Sequence, residues 1–259
     1  MKRVFKIATL ALGLFFAGVL GYGAFGFWDA VRQSDEYATR ANALIADGRG
    51  PEDLGAERLR QLILVQDPGY LEHGGIDLST EGAGLTTISQ SVSKRLGFEE
   101  FRPGIGKIRQ TGFAFGLESR LSKEQILALW LDTVEMGLGP DGWMTGLFHS
   151  SQSIYGRPPS ELSDQEYHRL LAVLIAPGQY RLLEEDEALA DRAACIRVLP
   201  PRRPERCLAG RLRLGPARPE RRTGPGFHQH ESWRFPFKDQ RKTRLAKRTF
   251  GDRKHPTYL

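Results

Sequence analysis

An uncharged stretch near the N-terminus constrains this chain more than any other feature. Residues 7–27 contain no Asp, Glu, Lys or Arg, and three cations precede them at Lys2, Arg3 and Lys6. A helix of this length spans roughly 30 Å, the thickness of the hydrocarbon core of a bilayer. Because the cations come before the stretch, the positive-inside rule places the N-terminus in the cytoplasm and residues 29–259 outside it. We therefore predict a single-pass transmembrane helix.

A cleaved secretory signal is the alternative interpretation of the same segment. Signals of that kind have a shorter apolar region, followed by a cleavage site of small residues. Here the apolar run is long, and no Ala-x-Ala site follows it. Aromatic residues also crowd its outer end, where an interfacial belt belongs. An uncleaved anchor over residues 1–28 is the preferred interpretation.

The net charge of +6 conceals two different regions. Residues 1–195 hold more acidic than basic side chains, whereas residues 196–259 are strongly basic and rich in Arg and Pro. Such a tail buries too little apolar surface to offset the entropy of ordering, so we predict disorder there. Out-of-frame translation of a GC-rich gene would give the same composition, and that alternative stays open. A basic tail outside the cytoplasm suits phosphate-rich lipid or cell-wall polymer rather than nucleic acid.

The chain has two cysteines, Cys195 and Cys207. Two are too few for a disulfide framework, and their flanking residues match no zinc pattern. One bridge between them and two free thiols both fit the sequence, and we favour free thiols.

Apolar spacing and capping residues predict helices between the anchor and the tail. A polar helical linker covers residues 29–55, and further helices cover 57–65, 86–96, 107–121, 126–131 and 167–175. Capping boxes at Ser122–Gln125 and Ser163–Glu166 begin the last two. No alternation of apolar and polar residues is long enough for a strand. The predicted fold class is all-α, with a long glycine-rich loop between Gln66 and Gly84.

Four stretches match, in order, the motifs of a known family. Glu-Asp-x-x-Phe-x-x-His-x-Gly falls on residues 66–75, and Gly-Gly-Ser-Thr-Ile-Thr-Gln-Gln-x-x-Lys falls on residues 84–94. Arg-Lys-x-x-Glu falls on residues 106–110, and Lys-Glu-x-Ile-Leu-x-x-Tyr-Leu-Asn falls on residues 123–132. With these motifs behind an N-terminal anchor, the chain resembles the glycosyltransferase family 51 peptidoglycan transglycosylases.

The resemblance implies a fold and a substrate class. It implies a lysozyme-like all-α glycosyltransferase domain over residues 56–195, with a second lobe that dips into the membrane. The substrate would be the lipid-linked disaccharide-peptide precursor of peptidoglycan, at the outer face of the bacterial inner (cytoplasmic) membrane. Glycan strands would grow by inverting transfer, with a lipid pyrophosphate as the leaving group. No transpeptidase domain fits in the remaining residues, so the resemblance is to the monofunctional type.

The family places its two key carboxylates at positions where this chain has Gln66 and Gln110. An amide has the shape of a carboxylic acid but cannot take a proton near neutral pH. Because general bases commonly contribute 10²–10⁴-fold to a rate, the loss of one can suppress turnover without abolishing binding. Asp67 is the nearest carboxylate to the missing base, with Glu72 second, and His73 completes the catalytic candidates.

The resemblance also implies residues that bind the substrate. Lys94 and Lys107, with Arg109 nearby, are expected to hold the pyrophosphate. Thr87, Ser89 and Gln90 are expected to donate hydrogen bonds to it. A divalent cation such as magnesium is left open as a cofactor, and other cell-wall synthases are left open as partners.

Three functional hypotheses follow. The first is a divergent transglycosylase in which Asp67 or Glu72 replaces the lost base. The second is a pseudoenzyme that binds the precursor or the nascent glycan and scaffolds active synthases. The third is an inert anchor whose basic tail binds anionic lipid. The retained Thr87, Gln90 and Lys94 favour the first two hypotheses, and the two glutamines favour the second over the first.

Overall fold

A computed structural model of the chain describes residues 2–80 and 86–197. The predicted tail, apart from Ile196 and Arg197, lies outside these residues, as does the start of the second motif. The helices are α1 (Lys2–Ala46), α2 (Ala56–Gln66), α3 (Ile88–Leu96), α4 (Gly106–Glu118), α5 (Lys123–Thr133), α6 (Leu147–Tyr155), α7 (Asp164–Val173) and α8 (Glu187–Arg197). Short 3-10 helices cover Glu52–Leu54 and Pro159–Glu161. The predicted helical fold class is confirmed.

The first helix joins the predicted anchor to the predicted linker without a break. α1 has 45 residues, and its apolar part is long enough to cross a membrane. Side chains in that part are exposed, while Tyr37, Ala41 and Leu44 further along are buried against the domain. A single continuous helix therefore contains both the apolar segment and the residues that are buried in the protein core.

α1 packs most extensively against α4, and the two backbones approach closely. A Cβ atom on Gly112 would overlap the carbonyl oxygen of Gly23, and one on Gly26 would overlap that of Arg109. Likewise, a Cβ on Gly116 would lie 2.6 Å from the Cβ of Ala30. Small residues at such crossings let helix backbones come into contact. The α1–α4 contact therefore depends on these glycines.

α5 is the central helix of the domain. Its six residues from Ile126 to Leu131 are all buried, so it has no solvent-facing side over that stretch. α3, α6 and part of α1 pack around it. Both predicted capping boxes are present, at Ser122 with Gln125 and at Ser163 with Glu166. Each Ser cap contributes about 1 kcal/mol of helix stability.

A β-hairpin follows α5, where the sequence predicts no strand. Strands β1 (Glu135–Gly139) and β2 (Gly142–Thr145) are antiparallel, and Leu138 pairs with Trp143. Gly137, Gly139 and Gly142 lie within the hairpin. Gly137 has φ +85°, and its Cα faces the carbonyl oxygen of Pro177, which leaves no room for a side chain. The strands are too short to show alternation in the sequence.

α8 extends the packed domain past the predicted boundary at residue 195. Leu189, Ala193 and Ile196 are buried, and the helix packs on α7. The expectation that the tail begins at residue 196 without joining the core is wrong for Ile196. Cys195 is disulfide-bonded, so the preference for a free thiol is wrong at that position.

Two adjacent alanines test whether α8 belongs to the core. Ala193 is 6% exposed, whereas the neighbouring Ala194 is exposed. Ala193→Asp places a charge in the α7–α8 interface and should lower the free energy of unfolding by at least about 2 kcal/mol. Ala194→Asp carries the same charge at the same helix end and should change it by less than about 0.5 kcal/mol. Thermal or denaturant unfolding gives both values, and equal effects would remove α8 from the core.

Candidate functional site

Gln66, at the position of the missing base, ends α2 at the edge of the first-motif loop. Its side chain is half-buried, and it forms no hydrogen bond with any residue that the structure describes. The amide is therefore open to solvent and to a ligand. It can orient a hydroxyl group but cannot accept its proton.

Asp67, the nearest carboxylate, is only 1% exposed and already has partners. One oxygen accepts a hydrogen bond from the backbone N–H of Ile88 at 2.9 Å, and Nε2 of His73 lies 2.9 and 3.0 Å from the two oxygens. Burial raises the pKa of Asp67, while the hydrogen bonds from Ile88 and His73 oppose that rise. The side chain holds the first residue of α3 against the first-motif loop.

His73 is tied into the same loop through both ring nitrogens. The backbone N–H of Gly75 donates to Nδ1 at 3.1 Å. Since Nδ1 is the acceptor, Nε2 carries the hydrogen and donates it to Asp67. Neither nitrogen of the neutral ring has a free lone pair with which to take a proton from a substrate. In this arrangement His73 orients Asp67 and the loop, and its catalytic role remains a prediction.

The polar residues at the start of α3 already donate hydrogen bonds inside the protein. Thr87 caps the helix and donates to the carbonyl oxygen of Gly75 at 2.8 Å. The Ser89 hydroxyl donates to Glu118, and the Gln90 amide donates to Thr111 at 3.3 Å. All three predicted substrate donors are buried. They position the loop and helices around the site, and their contact with a substrate remains a prediction.

Gln110 is integrated into the fold as an amide. It is 9% exposed, and its Nε2 donates to the backbone carbonyl oxygen of Gln90 at 2.7 Å. An ionised carboxylate is only an acceptor, so a glutamate here would face that carbonyl oxygen without a proton to share. The third-motif glutamine thus joins α4 to α3 through a bond that the family's carboxylate could not make when ionised.

An ion pair that the sequence does not predict connects three motifs. Lys123 lies 2.8 Å from Glu118 and donates to the carbonyl oxygen of His73 at 2.6 Å. Glu118 also accepts from Ser89, and Lys123 lies 4.6 Å from the centre of the Tyr70 ring. Glu118 stands two turns beyond Gln110 on the same helix. That spacing is the only signal that could have placed it near the site.

Two of the predicted pyrophosphate ligands are exposed and lie in the same neighbourhood. Lys94 projects from α3 with its ammonium 5.6 Å from the centre of the Phe101 ring. The same ring lies against Gly106, where α4 begins, and the exposed Lys107 follows. Phe101 therefore places Lys94 near the N-terminal turn of α4. A cation in the first turn of α4 and a second one near that turn favour an anionic ligand.

Arg109 has a different environment from these lysines. Its guanidinium lies 2.7 Å from Asp29 of α1 and stacks near the rings of Phe25 and Phe98, at 5.2 and 4.6 Å. The side chain is largely buried by these contacts. The Arg109 side chain links α4 to α1 through Asp29. To bind the pyrophosphate, as predicted, Arg109 would have to break this ion pair.

The side chains present do not suit a divalent cation at this site. Within residues 2–80 and 86–197, no three His, Cys, Asp or Glu side chains lie together as metal ligands. At positions 66 and 110 the chain offers neutral amides, and Asp67 is occupied by Ile88 and His73. Magnesium prefers carboxylate and phosphate oxygens, so we derive no step through a metal ion.

Comparisons with known proteins agree with this architecture. A family model described as Transglycosylase matches residues 51–198, more than half of the chain. The chain belongs to this transglycosylase family.

Its relatives include several proteins named biosynthetic peptidoglycan transglycosylase. The Shewanella oneidensis protein is 29% identical over 216 residues, which cover 76% of this chain and 91% of that protein. The Citrobacter koseri protein is 32% identical over 148 residues, 52% of this chain and 60% of that protein. The Cronobacter sakazakii protein is 30% identical over 132 residues, 46% of this chain and 53% of that protein.

Two carboxylates of the first motif, Asp67 and Glu72, test the structural role of Asp67. Asp67→Ala leaves the buried donors of Ile88 and His73 without an acceptor, and each such group costs about 1–3 kcal/mol. We expect the free energy of unfolding to fall by about 2–4 kcal/mol, measured by denaturant titration. Glu72 is exposed, so Glu72→Ala should change it by less than about 0.5 kcal/mol. Similar losses in the two variants would contradict the role of Asp67 in holding Ile88 and His73.

One substitution made at both glutamines separates their roles. Gln110→Glu replaces a buried donor with a charge that faces the Gln90 carbonyl oxygen, and should destabilise the protein by about 1–3 kcal/mol at pH 8. Gln66→Glu at the half-buried, unbonded position should leave stability within about 0.5 kcal/mol. Thermal midpoints of the two variants at pH 8 provide the comparison. A stable Gln110→Glu variant would show that the hydrogen bond from the Gln110 side chain to the Gln90 backbone is dispensable.

Proposed function

We propose that this protein binds the lipid-linked disaccharide-peptide precursor of peptidoglycan and transfers its glycan, at a rate limited by the missing carboxylate. One observation carries the proposal. The exposed Lys107 lies in the first turn of α4, three residues before Gln110, and the exposed Lys94 of α3 contacts Phe101, whose ring lies against Gly106. Both lysines are inside the segment matched by the transglycosylase family. A pyrophosphate there would meet two cations and a helix N-terminus, while the sugar would extend toward Gln66.

The reaction needs a proton acceptor and stabilisation of a leaving group. An acceptor hydroxyl attacks the anomeric carbon and loses its proton, and the carbon–oxygen bond to the pyrophosphate breaks with inversion. Lys94 and Lys107 would stabilise the negative charge that develops on the pyrophosphate. Gln66 would orient the hydroxyl without taking its proton. The proton would pass to Glu72, which is exposed and unpaired among the described residues. The other proposed replacement base, Asp67, is buried and already accepts hydrogen bonds.

A binding function without turnover is the second candidate, and a specific contact favours it. The Gln110 side-chain amide donates a hydrogen bond to the Gln90 backbone in α3, so this position is adapted to a neutral side chain. A protein of this kind would hold the precursor or the glycan strand beside active synthases. The same binding site serves both candidates, and only the proton acceptor distinguishes them.

The proposed location follows from α1. Lys2, Arg3 and Lys6 precede the apolar part of the helix, which favours a cytoplasmic N-terminus. The domain after Asp29 would then lie on the outer face of the bacterial cytoplasmic membrane, where a lipid-linked precursor is presented. Other cell-wall synthases are the expected partners at that surface.

Restoring a carboxylate at position 66 tests the proposed function. If only the base is missing, Gln66→Glu should raise polymerisation of a labelled lipid-linked disaccharide-peptide by at least ~10-fold over the parent chain. Gln66→Ala serves as the matched control and should not raise it. Product is measured by gel separation of labelled glycan, and precursor binding is measured in parallel.

The results of this assay distinguish the two candidate functions. An increase with Gln66→Glu supports a transferase with a missing base. Binding without polymerisation in every variant supports the non-catalytic candidate. Absence of precursor binding in the folded parent chain would overturn both.

A further inference from the structure

A buried histidine lies where α7 packs against its neighbours, and the proposed reaction does not use it. His168 is in the middle of α7 and is only 4% exposed. Its Nε2 lies 3.3 Å from the side-chain oxygen of Gln61 on α2. α8 packs on the same helix, with Leu189 and Ala193 buried. His168 therefore belongs to a three-helix joint formed by α2, α7 and α8.

The hydrogen bonds around His168 assign its tautomer. The amide nitrogen of Gln61 donates to Glu57 at 3.3 Å, so the amide oxygen is the atom that faces His168. Nε2 therefore carries the hydrogen, and the lone pair is on Nδ1. Nδ1 is buried and has no hydrogen-bond partner within residues 2–80 and 86–197. A second proton can be added only at Nδ1, and the new N–H group would meet no acceptor from these residues.

The charges around the ring also oppose its protonation. Arg58 of α2 and Arg197, the last residue of α8, both act on His168 as cations. Asp164, one turn earlier on α7, is the carboxylate that acts in the opposite direction. Burial has the largest effect, and with the two arginines it lowers the pKa of His168 below its ordinary value. The neutral ring is the form that fits the folded joint.

Other charged residues of the three helices have partners elsewhere or lie at the surface. Glu57 and Arg60 of α2 are 2.7 Å apart in an exposed pair. Glu166 of α7 pairs with Arg157, also at 2.7 Å. Arg169 of α7 donates to the carbonyl oxygens of residues 182 and 184. The other charged side chains of α8 are the exposed Glu187 and Asp191, and Arg192, which interacts with Tyr180.

We propose that His168 makes the three-helix joint sensitive to acid: when the ring takes a proton at Nδ1, the joint loosens and the last turn of α8 separates from α7. Arg197 is in that turn, and the protonated ring repels it. α2 leads from the joint to Gln66, so loosening also releases the helix that carries the candidate site. On the outer face of the membrane, which is part of the proposed function, the joint would respond to the external pH.

The direction of the pH effect follows from the two states of the ring. In the unfolded chain His168 has its ordinary pKa of 6.5, and in the folded chain its pKa is lower. As the pH falls below the unfolded value, the unfolded chain binds more protons than the folded chain. The stability contributed by the neutral ring is therefore present above that value and is lost as the pH falls through the folded value.

Thermal unfolding of the full chain in detergent at pH 7.5 and pH 5.5 measures this loss. The midpoint of the parent chain should fall about 2–5 °C further than that of His168→Gln, because the amide cannot take the proton. His149→Gln, at the exposed histidine of α6, is the matched control and should keep the loss of the parent chain. Equal losses in the parent chain and in His168→Gln would overturn the proposal.

Hydrogen exchange of the parent chain locates the loosening and does not depend on whether a variant folds. After correction for the intrinsic effect of pH, protection of residues 187–197 should fall at least about 3-fold between pH 7.5 and pH 5.5. Protection of the central residues 126–131 should stay constant. Unchanged protection of α8 in acid would overturn the proposal.

These measurements contain no precursor, so they keep the joint separate from the proposed function. Loss of α8 protection in acid, together with no binding of the disaccharide precursor, would support the joint and reject the proposed function. Precursor binding with constant α8 protection would reject the joint and leave the proposed function standing.

Discussion

The contact between the backbones of α1 and α4 is the constraint on which the remaining structure depends. Gly23, Gly26, Gly112 and Gly116 allow it, since a Cβ on Gly26, Gly112 or Gly116 would overlap the facing helix. The close approach brings Arg109 within reach of Asp29, and these two residues, 80 positions apart in the sequence, form an ion pair. It also sets the position of α4, which carries Lys107 and Gln110. The apolar helix and the candidate site are thereby parts of one packed unit.

The buried Asp67 carboxylate has a comparable role inside the domain. It connects the end of α2 to the first residue of α3, and His73 and Thr87 complete the contact between the first-motif loop and that helix. The residues of the family motifs therefore have two different roles in this chain. One kind builds the site through internal hydrogen bonds, and the other kind, here Gln66, Lys94 and Lys107, remains open to a ligand.

Local signals in the sequence predicted most of the helices. Ser122 and Ser163 each precede a Gln or Glu by three residues, and both capping boxes form. The hairpin at Glu135–Thr145 was missed because two short strands with several glycines show no period. α8 was missed because its apolar residues lie at the edge of an Arg-rich composition, and only packing on α7 reveals their role.

The site was predictable in its residues but not in their connections. Motif order identified Gln66 and Gln110, whereas the bond between Gln110 and the Gln90 backbone depends on how α3 packs on α4. The assignment of Arg109 to a pyrophosphate rested on its motif position, and the ion pair with a helix far away in sequence could not be read from that position. Tertiary contacts of this kind carry no local signal.

The unbroken α1 has a mechanical consequence. Its 45 residues make a rod of about 68 Å that is clamped to α4 near its middle. A transmembrane helix tilts when its apolar length exceeds the thickness of the surrounding bilayer. Because no hinge separates the two ends of this rod, a change of tilt in the membrane turns the whole domain through the same angle. Bilayer thickness would then set the direction in which Gln66 and Lys94 face the membrane surface.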